Sequence, residues 1–244
     1  MTFLIIVNLI FHHSGPPLPL STYIPTLPSS SITALDSPIT PDELYQAIKS
    51  KKDLSAPGPD GFPYKFYKTF PTQISKILIP IFHDIAFKST PPPPSWSETI
   101  ITLIHKKNSD PRYVDNLRPI VLSNTDIKLL STILATRFQT HASILIHPDQ
   151  TGFMKHRSIY DTILDINSFL TLDFLPPNSF ALSVDWSKAY DWVSHSWLDH
   201  VLSSSLFPTS FINLTFCSYH NCSAQIKINS SLSSFSCSSR CATR

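Results

Sequence analysis

The chain has 244 residues, 42% of them apolar, enough for a real core in one large domain or two small ones and too much for a wholly disordered chain. Nineteen Lys and Arg stand against 17 Asp and Glu, a formal charge of only +2, so bulk charge does not draw the chain to nucleic acid and any such binding must come from local clusters. The apolar run from Phe3 to Phe11 is too short to cross a bilayer and lacks a basic flank and a small-residue cleavage site, so no membrane partner is expected.

Residues 1–37 read as a poorly ordered leader, rich in Pro, Ser and Thr from residue 14 onward and without periodicity. The fold is expected to begin at residue 38. Thr40-Pro41-Asp42-Glu43 joins an N-cap Thr, a Pro at the first helical position and a Glu at N3, a capping box, and Leu44, Ala47 and Ile48 supply the buried stripe of the helix that follows. There are only four glycines against 22 prolines, and two of the four sit in Ala56-Pro57-Gly58-Pro59-Asp60-Gly61, where such economy predicts a specific turn.

From Thr72 onward Ile74, Ile77, Leu78, Ile81, Phe82 and Ile85 recur at helical spacing, with Pro80 expected to kink the helix and Pro91 to Pro94 to end it. Thr99 to Ile104 reads as a buried strand that leaves through His105-Lys106-Lys107. A further helix is expected from Asp126 to Ile146, with Ile127, Leu130, Leu134 and Phe138 on one face. Phe180, Leu182 and Val184 alternate with Ala181, Ser183 and Asp185, the pattern of a strand with one face on the core. Trp197, Leu198, Val201 and Leu202 mark a short helix, and Ala224 to Asn229 with Leu232 to Cys237 make a hairpin. The mixed order of helices and strands, without a strict alternation, gives an α+β class.

Two places carry candidate chemistry. Asp185, at the end of its strand and pointing off the core, is suited to hold magnesium, which takes hard oxygen ligands and leaves positions open for phosphate oxygens; the competing reading is an Asp that caps the next turn. Cys217, Cys222, Cys237 and Cys241 lie close together with His220 among them, which invites zinc. The segments between them lack a Gly-rich or basic knuckle, so free thiols are the favoured reading.

Four blocks, taken in order, resemble the reverse transcriptase domain of non-long-terminal-repeat retrotransposons of the long interspersed element type. They are Ser55 to Phe62; Leu103-Ile104-His105-Lys106-Lys107 with Asn116-Leu117-Arg118-Pro119-Ile120; His147-Pro148-Asp149-Gln150-Thr151-Gly152-Phe153; and Val184-Asp185-Trp186-Ser187-Lys188-Ala189-Tyr190-Asp191. The resemblance implies a right-hand polymerase fold, with residues 38–178 as a fingers-like region and residues 179–244 as the start of a palm. It implies RNA-directed DNA polymerase activity by two-metal nucleotidyl transfer on an RNA template, a DNA primer and deoxynucleoside triphosphates, with Mg2+ as cofactor and a nuclear or cytoplasmic location.

Carried over by position, Asp185 is the catalytic carboxylate and metal ligand, and Trp186 offers a backbone carbonyl to one metal. Tyr190 lies under the nucleotide sugar and excludes a 2′-hydroxyl, while Asp191 has a structural role. Lys106, Lys107 and Arg118 grip the incoming triphosphate, Arg118 first and Lys107 next. Lys65, Lys68, Lys155, His156 and Arg157 are candidates for template or primer phosphates, and the turn at residues 57–61 lies near the template path.

The sequence also departs from the family. Ser239 to Arg244 resembles the entry to the next palm block, with Ala242 where Gly is usual, and no aromatic-Ala-Asp-Asp segment, thumb or endonuclease domain follows. The expectation is therefore a truncated fragment that does not polymerise DNA. The alternative is a non-catalytic nucleic-acid-binding remnant of a retrotransposon.

Overall fold

The computed structural model describes residues 24–107, 110, 112–171, 193–228 and 231–236. The strand expected before Asp185, together with Asp185, Trp186, Tyr190 and Asp191, lies outside the described residues, as do the run from Phe3 to Phe11 and Cys237 and Cys241.

In chain order the elements are α1 (Ser29–Asp36), α2 (Pro41–Lys49), α3 (Tyr64–Thr69), α4 (Pro71–Lys88), β1 (Glu98–His105), β2 (Leu117–Ser123), α5 (Thr125–Gln139), α6 (Ala142–Leu145), α7 (Ile159–Leu170), α8 (His195–Ser204), α9 (Thr209–Phe216), β3 (Ser223–Ile228) and β4 (Ser231–Ser236). The chain divides into two compact units, one of residues 1–28 and 139–206, the other of residues 29–138 and 207–244.

The second unit holds a four-stranded sheet in the order β2-β1-β3-β4. β1 runs antiparallel to β2 and parallel to β3, and β3 runs antiparallel to β4. The mixture of helices with a sheet that is neither all parallel nor all antiparallel fits the α+β expectation. Strand β1 is half-buried from Thr99 to Leu103 and exposed at Ile104 and His105, so the expectation of a fully buried strand fails. The reason is that the helices of this unit pack chiefly on one another, α4 on α9 and α2 on α3 and α4.

That helical core is read well from periodicity. Leu78, Phe82, Ile85 and Ala86 form the buried stripe of α4, while Ile77 lies off it and is exposed. The helix continues through Pro80. Burial of Leu78, Phe82 and Ile85, at roughly 1.5–3 kcal/mol each, outweighs the ~3 kcal/mol that a proline costs in a helix interior. The capping box forms as expected: Glu43 donates its backbone N–H to the Thr40 hydroxyl, and its side chain accepts the Thr40 N–H at 2.8 Å.

Two further expectations need correction. Residues 29–36 of the expected leader are helical, because Ser31 and Leu35 are buried and the Ser210 hydroxyl donates to the Asp36 carboxylate at 2.5 Å. The helix expected from Asp126 to Ile146 breaks after Gln139 and resumes as α6. At the break the Gln139 side-chain amide donates to the carbonyl of Phe153 and accepts from the N–H of Lys155, so a loop distant in sequence sets the boundary.

The first unit contains α6, α7 and α8. Helix α8 opens on Ser194, whose hydroxyl accepts the Trp197 N–H. Arg157 donates to the carbonyls of Ile146, His147 and Gln150 and so closes the loop between α6 and α7.

Candidate functional site

The basic block folds as the ribbon β1–β2. Its register places Ile104 opposite Arg118 and His105 opposite Leu117, and the Lys106 N–H donates to the Asn116 carbonyl at 2.8 Å, which adds one rung beyond the last paired residues. Residues opposite one another in an antiparallel ladder share a face, and the face alternates along each strand. Lys106 therefore falls on the face of Ile104 and Arg118, a diagonal neighbour of Arg118 with Cβ atoms roughly 7 Å apart. Lys107 comes one residue later, in the turn. The register thus pairs Arg118 with Lys106 rather than with Lys107. Arg118 and Lys107 are exposed, and the Arg118 side chain has no hydrogen bond or ion pair among the described residues.

The connection between the strands is built around Asp110, which sequence reasoning passed over. Arg112 grips its carboxylate in a bidentate pair, Nη2 to Oδ2 at 2.7 Å and Nε to Oδ1 at 3.0 Å. The backbone N–H of Arg112 donates to the same carboxylate, and the Asn116 side chain donates to the Asp110 carbonyl. The Arg112 hydrogen bonds hold the Asp110 carboxyl below its ordinary range. The signal in the sequence was an Asp with an Arg two residues on, too common in loops to single out.

The turn block at residues 56–62 is fastened to the far end of β2. Asn124, 1% exposed, follows that strand directly; its Oδ1 accepts the Asp60 N–H at 3.2 Å and its Nδ2 donates to the Ser95 carbonyl at 2.8 Å. A Cβ built on Gly58 would fall inside the van der Waals envelope of Asn124 Oδ1 and backbone N, so only glycine allows this approach. Gly61 serves a different purpose, with φ of +75° in the left-handed region that closes the turn.

The start of α5 completes the anchor. The Thr125 hydroxyl donates to the Phe62 carbonyl at 2.7 Å, and Lys128 donates to the Ala56 carbonyl while its ammonium lies 5.4 Å from the centre of the Tyr64 ring. The Trp96 indole donates to Asp126 at 2.6 Å. Burial pushes the Asp126 carboxyl up and the Lys128 ammonium down.

The other candidate cations divide. Lys68 bonds Asp53 at 2.6 Å and the Lys51 carbonyl, and Arg157 is committed to its three carbonyls, so both serve the fold. Lys65 and Lys155 are exposed, and His156 is exposed with φ of +63°. Cys217 is a buried free thiol, and burial pushes it up to about 12, which leaves it protonated and a poor metal ligand. Among the described residues no group of His, Cys, Asp and Glu side chains is arranged to hold a metal, and no helix is long and apolar enough to cross a membrane.

Comparison with known proteins gives this geometry its context. The family described as reverse transcriptase (RNA-dependent DNA polymerase) matches residues 104–241, more than half of the chain. The chain belongs to the reverse transcriptase family. Over 202 residues, 81% of this chain, it is 33% identical to a transposon TX1 uncharacterized 149 kDa protein of Xenopus laevis. Over 181 residues, 71% of this chain, it is 28% identical to a probable RNA-directed DNA polymerase from transposon BS of Drosophila melanogaster. These stretches make up 15% and 19% of the two relatives. The matched region includes Lys106, Lys107, Arg118 and Asp185.

Proposed function

We propose that the chain supplies the fingers elements and the first palm carboxylate of an RNA-directed DNA polymerase acting on an RNA template, a DNA primer and deoxynucleoside triphosphates. One observation carries this reading: in a reverse transcriptase chain, the β1–β2 ribbon brings Lys106 and Arg118 to one face at its solvent-exposed end. Arg118 offers triphosphate oxygens a planar fork of donors and Lys106 a compact charge, while Lys107, in the adjoining turn, adds to the local positive field. Asp185 is the carboxylate we assign to magnesium, with the backbone carbonyl of Trp186 as a further oxygen ligand, and Tyr190 is assigned to exclude the ribose 2′-hydroxyl. When bound, magnesium supplies charge neutralisation at the phosphate oxygens and a more acidic primer 3′-hydroxyl. The turn at residues 57–61 then borders the template path, held in place by Asn124.

The 244 residues contain no aromatic-Ala-Asp-Asp segment, so on their own they present one half of a two-carboxylate site. The expected behaviour is binding of nucleotide and primer–template without extension. Titration of a fluorescent deoxynucleoside triphosphate into the chain should show saturable binding that Arg118→Ala weakens by about 10- to 100-fold, the equivalent of the ~1.5–3 kcal/mol of hydrogen bonds to a charged group. Equal binding by both proteins would remove Arg118 from the site. Salt-sensitive RNA binding without nucleotide binding would point instead to the non-catalytic remnant. DNA product from an RNA template, lost in Asp185→Asn, would show that the chain is catalytically complete.

A further inference from the structure

We propose that residues 90–94, extended as far as the 3-10 turn that begins at Pro94, form a docking ridge for another protein, one whose binding groove is walled by Tyr and Trp rings and reads polyproline II helices. This ridge has no part in the polymerase reading.

The backbone conformation follows from covalent structure. Each ring in Pro91-Pro92-Pro93-Pro94 locks φ near −65°, and each residue that precedes a proline is pushed out of the helical region, so Thr90 to Pro93 are held extended. Pro93 has φ −53° and ψ 137°. A polyproline II helix repeats every three residues, at about 3.1 Å per residue. The exposure follows that period: Pro91 and Pro94 are exposed, whereas Pro92 and Pro93 between them are half-buried. Pro91 and Pro94 thus make one outward edge.

Both ends of the ridge are pinned. Ser89, in the left-handed region with φ of 52°, closes α4, and the Thr90 N–H donates to the Asp84 carbonyl at 3.3 Å. At the other end the run passes into a 3-10 turn at Pro94–Ser97, whose first bond is the Trp96 N–H to the Pro93 carbonyl at 3.0 Å, and Trp96 itself is 2% exposed. A partner meets a ridge already in its bound shape and loses little chain entropy in ordering it.

Two further features select aromatic side chains that carry a donor. The carbonyls of Pro91 and Pro92 have no hydrogen-bond partner among the described residues, and four successive positions present no N–H. The ridge also forms one wall of a cleft of about 670 Å³, whose lining includes Ile81, Ile85 and the carboxylate residue Glu98. Glu98 has no ion pair or side-chain hydrogen bond among the described residues and can accept from a Tyr O–H or a Trp N–H. Apolar walls, proline rings and bare acceptors together match the face of an aromatic groove.

The test titrates the full chain with a purified SH3 domain and, separately, a purified WW domain, followed through the tryptophan fluorescence and amide spectra of the domain. We expect saturable binding to at least one of them, displacement by free decaproline, and a loss of about tenfold or more in affinity for Pro91→Ala with Pro94→Ala. Should that double variant lose its far-ultraviolet circular dichroism, decaproline displacement decides alone. Absence of saturable binding to both domains overturns the proposal, as does binding that decaproline leaves in place or that a folded double variant retains in full.

Discussion

At the scale of single residues, the contact between Gly58 and Asn124 is where the site is least tolerant. Asn124 cannot retreat, because both ends of its amide are occupied, by Asp60 and by Ser95, and the group is buried. A methyl group at Gly58 must therefore displace β2's end or the turn. Gly58→Ala is expected to lower unfolding stability by about 3 kcal/mol, the upper range for overpacking, with a matching fall in the urea midpoint. Gly61→Ala should be milder, since nothing crowds that position and the cost is the left-handed backbone alone. An unchanged midpoint for Gly58→Ala would mean that the turn is not seated against Asn124. The scarcity of glycine exposed this turn in the sequence, but not the division of labour within it. Asn124 lies 64 residues from the amide that it accepts from, and no local pattern announces a partner that far away. Likewise the choice between Lys106 and Lys107 is a matter of register, which composition does not reveal.

At the scale of elements, α2, α5 and the link between α1 and α2 meet at one arginine. Arg137, its side chain 10% exposed, donates Nε and Nη2 to the Glu43 carboxylate at 2.6 and 2.8 Å and gives further bonds to the carbonyls of Leu35, Ser37 and Pro38. Glu43 also closes the capping box of α2, so one carboxylate fixes a helix start and a helix–helix contact. Burial alone would raise the Glu43 pKa, but the Arg137 hydrogen bond, the Thr40 N–H and the Arg137 charge together lower it. A carboxylate with a depressed folded pKa adds stability above its unfolded pKa and loses it as pH falls through the folded one. Arg137→Ala should accordingly cost on the order of 2–3 kcal/mol at neutral pH, after allowance for the part of Glu43 that faces water, and should flatten the acid limb of the melting temperature against pH. Parallel acid limbs in the two proteins would show that the pair carries no such linkage. The capping box was plain in four consecutive residues, whereas Arg137 lies 94 residues from Glu43 and looked like any helix-terminal cation. Helix α1 was hidden for a related reason. Its Ser-rich sequence has little intrinsic helical preference, and its order comes from burial of Leu35 and the bond from Ser210, 174 residues away.

At the scale of the whole molecule, the sheet joins strands that the sequence presents separately. Both hairpin partners of β3 and β4 were visible, as was β1, but their parallel pairing, marked by the Thr99 hydroxyl on the Ser223 carbonyl 124 residues away, has no local signature. The consequence is a sheet whose β2 side is an edge among the described residues. Pro119 sits in that edge strand and removes one donor, which weakens strand-to-strand pairing with another chain. The faces are less protected. Ile104, Ile120, Val121, Tyr113 and Val114 are exposed on and beside the ribbon, Val121 at 55% and Val114 at 78%. Apolar surface of this kind next to Arg118 and Lys106 favours contact through side chains once the chain is concentrated. In nucleic-acid-free buffer the chain is therefore expected to self-associate, with a sedimentation coefficient that rises with concentration, and Ile120→Lys, on the face of Arg118 and Ile104, should shift it toward monomer without changing its circular dichroism. Because Pro119 disfavours edge pairing, association should proceed without new amyloid-like β-signal, and a chain that sediments as a monomer at every concentration would show that this face is adequately covered in solution.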